Sequence, residues 1–445
     1  MRAAGDQATI APSARADGRV TLPGDKSISH RYAMLAALAD GESVIHGYSR
    51  GADCAATLEC VRALGADVEK TGDRVIITGH GRDGLKAPSA PLDAVNSGTT
   101  MRLMSGILAA QPFRSSFTGD ASLQRRPMRR IIDPLQRMGA RIDSEDGFPP
   151  LTIHGAPLKS ISFRPAAASA QIKSCVLLAG LYADGTTYLE EPIQTRDHTE
   201  RALQTFGVEV MAVNGRIGVQ GGQVLRASEL HVPGDISGAA FWGALAAATP
   251  GGKIVIEQVG LNPTRTDVLT LLERTGAIVS RSTVGHSTGE PVGMIVIRHG
   301  AMNSFEVSPG EVAGVIDEIP ALAALGAMMP RGCTFTVRGA SELRVKESDR
   351  ITSLATGFRA LGSQVEEFAD GFRLEAAPMN AATVDAHGDH RLAMAFAIAA
   401  TKASGPVTIL GASAVDVSYP GFFETLAQLT GASPADSSSP QGLRY

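Results

Sequence analysis

The chain has 445 residues, 44% of them apolar, and 41 Lys+Arg against 45 Asp+Glu give a formal net charge of −4. That length allows two to three domains with sizeable cores, while the slight acidity excludes a general nucleic-acid binder, which carries a basic excess. With 5% aromatic residues and one Trp (Trp242), base-stacking platforms are excluded as well.

Residues 1–16, rich in Ala, Ser, Asp and Gly, read as a loose leader, and Met1–Gly18 holds no apolar signal-peptide core. The tail Gly431–Tyr445 reads as equally weak. The longest apolar runs, Ala239–Thr249 and Arg391–Ala400, are too short to cross a bilayer. Cys54, Cys60, Cys175 and Cys333 are scattered without a CxxC pair, so neither a zinc ribbon nor a disulfide scaffold is expected. The expectation is a soluble cytoplasmic protein with no membrane or nucleic-acid partner.

An internal repeat organises the rest. An amphipathic helix, a glycine stop and a short strand recur at Thr57–Val68, Ile131–Ile142, Thr199–Val210, Val268–Val279 and Ser353–Val365, with a frayed copy at Phe422–Ala432. Apolar residues every three or four positions predict one buried helix face, and the glycine takes the left-handed position that ends the helix. The marker glycines are Gly65, Gly139, Gly207, Gly276, Gly362 and Gly431. Units of roughly 70 residues are too long for a solenoid period and large enough for small α/β modules. VTLPGDKSIS (Val20–Ser29) echoes LHVPGDISGA (Leu230–Ala239), three units later. The chain therefore reads as two similar halves of three α/β units each.

The chemistry-bearing segments lie at loop-to-helix junctions. PGDKSISHR (Pro23–Arg31) gathers Lys26, Ser27, Ser29 and Arg31 at a helix start, where free amides and the helix dipole favour an anion, although an ordinary capped helix fits too. It lacks the spacing of a Walker A loop. NSGTTMR (Asn96–Arg102) is a small-residue turn that lets backbone approach a ligand or simply caps a helix. GDASLQRRPMRR (Gly119–Arg130) puts four Arg in six residues, suited to bidentate recognition of phosphate or carboxylate. ASAQIKS (Ala168–Ser174) and TRDHTE (Thr195–Glu200) offer Ser169, Gln171 and Arg196, with capping an equal explanation for Ser169. In the second half stand IDEIP (Ile316–Pro320), ELRVKESDR (Glu342–Arg350) and GDHRLAM (Gly388–Met394). His387 and His390 have no accompanying ligand set for zinc. Acids, lysines and arginines at such junctions in both halves suit an anionic substrate held between two domains.

Seven of these segments, all but TRDHTE, run co-linear from about Val20 to about Leu429 and resemble the EPSP synthase family of enolpyruvyl transferases. The resemblance implies two domains, each of three βαβαββ units with helices packed inward, an inside-out α/β barrel. The expected division is 22–235 against 1–21 plus 236–445, with the active site in the cleft and hinge-like closure around two crossings. It implies addition of the 5-hydroxyl of shikimate 3-phosphate to C2 of phosphoenolpyruvate and elimination of phosphate, by a monomer without cofactor or metal.

Carried onto this chain, the resemblance implies that Lys26, Ser27 and Arg31 hold shikimate 3-phosphate, with Lys26 also touching phosphoenolpyruvate. Ser169, the backbone at Ala170, Gln171 and Arg196 complete the shikimate contacts. Asn96 and Gly98 belong to the phosphoenolpyruvate pocket, and Arg126, Lys346, Arg350 and Arg391 contribute cations. Lys26, Asp317 and Glu347 are the expected catalytic residues, Asp317 as base for the hydroxyl and Glu347 as proton carrier at C3. Many relatives carry a Lys where this chain has Asp416 and Val417, and a Pro where it has Leu103. Two alternatives stand beside this reading: an enolpyruvyl transferase acting on UDP-N-acetylglucosamine, whose usual loop Cys is missing from Gly119–Arg130, and a paralogue that is non-catalytic or recruited to another acceptor.

Overall fold

The computed structural model describes residues 6–213 and 215–431. The tail after Gly431 and the first five residues of the leader lie outside the described residues.

The six amphipathic phrases become the helices Ala52–Ala63, Arg129–Arg137, His198–Thr205, Asp267–Arg274, Arg350–Ala360 and Phe422–Thr430. All six marker glycines have positive φ, from +67° to +110°. Glycine reaches that region at no steric cost, so each helix stops there, and after the first five the chain turns into the next strand.

The helices alternate with strands that build one sheet per unit. In the second unit the strands run Leu92–Asp93, Arg114–Thr118, Phe148–His154, Arg141–Glu145 across the sheet, the first pair parallel and the others antiparallel. The third unit (Ser162–Phe163, Thr186–Glu190, Arg216–Gln220, Val210–Val213) and the fifth (Phe305–Val307, Thr334–Val337, Gly371–Glu375, Gln364–Phe368) repeat that order.

The first and fourth units share strands reciprocally. Asp17–Thr21 precedes the first unit yet pairs in parallel with Lys253–Gly260 of the fourth. Glu229–His231 precedes the fourth unit yet pairs in parallel with Asp40–His46 of the first. The chain therefore crosses twice, and the crossings hold each other: the Asp25 amide donates to Pro233 O (2.8 Å) and the Asp235 amide to Pro23 O (3.0 Å). A Cβ on Gly24 would lie 1.8 Å from the Gly47 carbonyl oxygen, whereas one on Gly234 would meet Leu22 Cβ at 3.1 Å and the Gln258 carbonyl oxygen at 3.3 Å, so the first Pro-Gly-Asp needs its glycine more strictly than the second.

The sixth unit corrects the reading of residues 1–16 as a loose leader. Thr383–Asp385 pairs with Val407–Leu410, and Gln7–Ile10 adds antiparallel to Val407–Leu410. Among the described residues the last unit has no hairpin of its own, and an open edge recruits a strand from wherever the chain can supply one.

Each unit has a second, inner helix: Lys26–Leu38, Gly98–Leu108, Ala170–Gly180, Ile236–Ala248, Ile319–Met328 and His390–Ala400. The last three are buried along their whole length, so they are apolar all round rather than amphipathic. Small residues let the inner helices close up: a Cβ on Gly106 would meet the Cys175 carbonyl oxygen at 2.2 Å. Two apolar cores result, one drawn from residues 28–232 and one from 16–22 with 236–429. The sheets cover them outside, with alternating burial as in Arg74–His80. The fold is α/β, with two three-unit domains and helices inward.

Candidate active site

One consequence of this packing decides where chemistry can occur. The starts of all six inner helices open on one cavity of about 80 Å³ between the two cores, represented there by Lys26 and Ser27, Gly98 and Thr99, Ala170 and Gln171, Asp235 and Ser237, Asp317, and Arg391. Six helix N-termini converging on one space give it a positive field. Side chains add to it: seven Lys and Arg against four Asp and Glu line the same cavity. A wider cavity of about 410 Å³ adjoins it, sharing Arg102, Gln171, Arg196, Asp317 and Lys346 and adding Ser169 and Arg130.

The helix amides themselves are partly spoken for, which modifies the reading of Pro23–Arg31. Asp25 accepts from the Ile28 amide at 2.9 Å and Asp235 from the Lys26 amide at 3.4 Å. Ser29 is buried against the Ser49 amide and leaves the group. An anion here would be met chiefly by side chains.

Asp317 sits at the centre. It pairs with Arg196 across the two halves, and lies 3.4 Å from Lys346 Nζ and 3.7 Å from Arg350 Nη1. Arg391 donates to its backbone oxygen at 2.7 Å. Burial pushes the Asp317 carboxyl up, but Lys346, Arg196, Arg391 and Arg350 together hold it well below the usual carboxylate range. Glu347 is treated alike. Arg350 Nη2 is 2.6 Å from it and Arg126 Nη1 3.7 Å, the latter across the halves. Against its burial, Arg350, Arg126, His390 and Lys26 keep Glu347 well below its ordinary value.

Lys26 is paired with Asp53 at 2.9 Å. Burial works against its charge, yet Asp53 and Glu347 outweigh that and raise its pKa. Lys346 moves the other way: burial lowers it more than Asp317 lifts it. Burial pushes Arg31 and Arg102 down to about 10, still charged at neutral pH.

The remaining expected residues fall into place around these. Arg31 is fixed by Ser27 O, Thr199 and Ser174 at 2.7–2.8 Å. Gln171 accepts from Arg102 (2.6 Å) and donates to Thr99 (3.0 Å). Ser169 lines the wider cavity and caps the helix that begins at Ala170, so both readings of it coexist. Of the arginine run, Arg126 faces the inner cavity, while Arg130 pairs with Glu342 and Arg125 and Arg129 are exposed. Asn96 stands behind the wall, accepting from Arg126 at 2.7 Å. Arg350 is likewise set back, reaching the cavity through Asp317 and Glu347. Asp416 is exposed, and neither it nor Val417 is on the wall of either cavity.

Sequence reasoning missed Asp53, Arg102 and Asp389. Asp389 receives Arg350 Nε at 2.7 Å while capping the helix His390–Ala400, and both members of the pair are fully buried. Asp389 and Arg102 lay inside quoted motifs, whereas Asp53 carried no local signal at all. At the cluster around Glu347, two of the buried guanidinium nitrogens without a hydrogen-bond partner among the described residues are Arg126 Nε and Arg350 Nη1. Buried charge-bearing donors normally find one, so the arrangement is suited to an anionic ligand.

Comparison with known proteins agrees with this geometry. The enolpyruvyl transferase NikO from Streptomyces tendae shares the fold over 96% of this chain and 98% of its own, with a TM-score of 0.76 at 18% identity. The class is therefore that of the enolpyruvyl-transferase fold. EPSP synthase from Acinetobacter baumannii matches more closely, with a TM-score of 0.83 and 43% identity over 95% of this chain and 98% of that one. The 3-phosphoshikimate 1-carboxyvinyltransferase of Solibacter usitatus is 48% identical over 422 residues, covering 94% of this chain and 99% of its own. That of Acidithiobacillus ferrooxidans is 48% identical over 423 residues, covering 95% and 97%. A family model described as EPSP synthase (3-phosphoshikimate 1-carboxyvinyltransferase) matches residues 10–426, and this chain belongs to that family.

Proposed function

We propose that this chain moves the enolpyruvyl group of phosphoenolpyruvate to the 5-hydroxyl of shikimate 3-phosphate, a step of the shikimate pathway leading to chorismate and the aromatic amino acids. The observation that carries the reading is the meeting of seven cations and two ionised carboxylates, Asp317 and Glu347, at six helix N-termini. Two substrates that together bear two phosphates and two carboxylates need such a set.

Lys26, Gly98, Arg126 and Arg391, with Arg350 and Asn96 behind them, take phosphoenolpyruvate in the inner cavity. Ser169, Ala170, Gln171 and Arg196 take the phosphate and ring of shikimate 3-phosphate in the wider one, with Ser27 and Arg31 reaching it from the first helix. The substrate hydroxyl adds to C2 while C3 gains a proton; C3 then returns a proton as phosphate leaves. Asp317 accepts the hydroxyl proton and passes it to the departing phosphate; Glu347, which takes up a proton as substrate binds, gives it to C3 and recovers it in the elimination. Both rest as paired carboxylates. The incoming anions draw Arg196, Lys346, Arg126 and Arg391 toward themselves, which raises both acids toward a useful pKa.

The halves 22–235 and 1–21 plus 236–445 act as domains that close on substrate about the crossings at Pro23 and Pro233. In this reading the chain is a working monomer. Four free thiols suit a reducing compartment such as the cytoplasm; among the described residues no helix is long and apolar enough to cross a membrane.

Phosphate release from phosphoenolpyruvate is the direct test, with shikimate 3-phosphate and UDP-N-acetylglucosamine offered in parallel. Turnover with shikimate 3-phosphate alone is expected; none from folded protein would refute the reading. Small-angle scattering should show compaction on adding shikimate 3-phosphate, and an unchanged radius would refute closure.

A further inference from the structure

A second large cavity, of about 1110 Å³, runs along the two chain crossings, and its wall includes His46, His231 and His286. None of these residues lines the anion cleft. His46 ends the strand Asp40–His46, and Glu229 and His231 bound the strand Glu229–His231. The strands are parallel neighbours with His231 opposite His46. Residues two apart on a strand share a face, so Glu229 and His231 project together and His46 joins them from the next strand.

The side chains are already gathered. The two imidazoles stack with centroids 4.6 Å apart and planes 15° apart. His46 Nε2 is 3.0 Å from Glu229 Oε1. One ligand atom from each of the three lies within 4.8 Å of the other two. Two imidazoles and a carboxylate are the donor set of borderline divalent metals, bound at roughly 2.0–2.2 Å, so the donors of one ion lie roughly 3.3–3.5 Å from each other. Because imidazole lone pairs lie in the ring plane, the two stacked rings must turn out of their stack to point at one ion. The backbone beneath is anchored: the His231 amide donates to Thr288 Oγ1 at 2.9 Å, and Ser287 Oγ donates to the His231 carbonyl at 3.2 Å.

We propose that His46, Glu229 and His231 form a site for a divalent transition-metal ion of the zinc class, with its remaining positions open to water. The ligands come from opposite ends of the first half and meet only in the folded sheet, so the ion stabilises the fold by linkage. The site is independent of the reaction assigned to the cleft.

The test uses untagged, substrate-free protein. Titration calorimetry with ZnCl2 should give one ion per chain, CoCl2 should develop visible d–d absorption, and MgCl2, an oxygen-preferring ion, should give neither. Zinc should raise Tm. His46→Ala, His231→Ala and the size-preserving Glu229→Gln should each weaken zinc binding at least tenfold and abolish the Tm increase, with metal-free Tm unchanged. His286→Ala and His299→Ala should bind as wild type. Equal zinc affinity in wild type and all three ligand variants, loss of binding in His286→Ala alone, or magnesium binding as tight as zinc would each overturn the proposal.

Discussion

Arg196 of the first half is ion-paired with Asp317 of the second, and this contact joins the two cores at the acid expected to accept the hydroxyl proton. Arg126 and Glu347 repeat the relationship at 3.7 Å. Under the proposed function, each acid is held by a cation that the substrate's anionic groups also engage, which would make binding and activation of the acids one event.

Asp317→Asn and Glu347→Gln should each lower kcat by about 10²–10⁴-fold, the usual worth of a general acid or base, with smaller changes in KM. Steady-state assays beside a thermal melt check this; loss of activity that merely follows loss of fold would defeat the assignment. Lys346 is the leading cation on Asp317, so Lys346→Met should move the acid limb of the kcat/KM profile to higher pH.

Gly98 opens the helix Gly98–Leu108 on the inner cavity. A Cβ there would lie 3.3 Å from Nη1 of both Arg102 and Arg126. These are flexible tips, so Gly98→Ala should fold normally but displace the two guanidinia. KM for phosphoenolpyruvate should rise about tenfold, roughly 1.4 kcal/mol, with KM for shikimate 3-phosphate changed less. Initial-rate kinetics with each substrate varied would show it; equal effects on both would place Gly98 elsewhere.

Arg350 and Asp389 are buried together, and Asp389 also caps a core helix. Asp389→Ala leaves a buried guanidinium with less compensation and should cost about 3–5 kcal/mol of stability. Denaturant unfolding tests this against exposed Arg338→Ala, which should change stability by under about 1 kcal/mol. Comparable losses would contradict the burial argument.

Stability should fall in two stages as pH drops. Burial, with Lys26 nearby, holds His30 and His390 well below the ordinary imidazole value. Below about pH 6.5 the unfolded chain binds protons at these positions that the native chain refuses, so stability declines. Asp317 and Glu347 are also depressed in the folded state. Their contribution is complete above about pH 4–4.5 and is lost as pH falls through their folded pKa values. Melts from pH 8 to pH 3.5 should show Tm declining first below about 6.5 and more steeply below about 4.5. His30→Gln should flatten the first stage, and a flat Tm between pH 7 and 5 would contradict it.

Local chemistry carried much of this architecture. Helix periodicity and a stop glycine act within a dozen residues, so the six phrases and the left-handed turns at Gly65, Gly139, Gly207, Gly276, Gly362 and Gly431 were readable in one dimension. The Pro-Gly-Asp echo announced two halves because the same short turn recurs three units later; at Gly24 the backbone beside the Gly47 carbonyl permits little but glycine. The motif residues Lys26, Arg126, Gln171, Asp317, Glu347 and Arg391 stood out because polar groups clustered at helix starts.

Tertiary structure alone settled which of these groups meet. Asp53 faces Lys26 because two helices pack side by side, and Gln7–Ile10 became a strand because a sheet edge 400 residues later lacked a partner. Ser29 and Asn96 shared motifs with cavity residues, yet the helix turn and the Arg126 contact put them behind the wall. The exchange of Asp17–Thr21 and Glu229–His231 between the halves was equally unreadable, since strand pairing depends on long-range register. Pattern within a segment reflects its own backbone and its one apolar face. Contacts between segments depend on how six helices and six sheets close around two cores, and that balance exists only in the assembled chain.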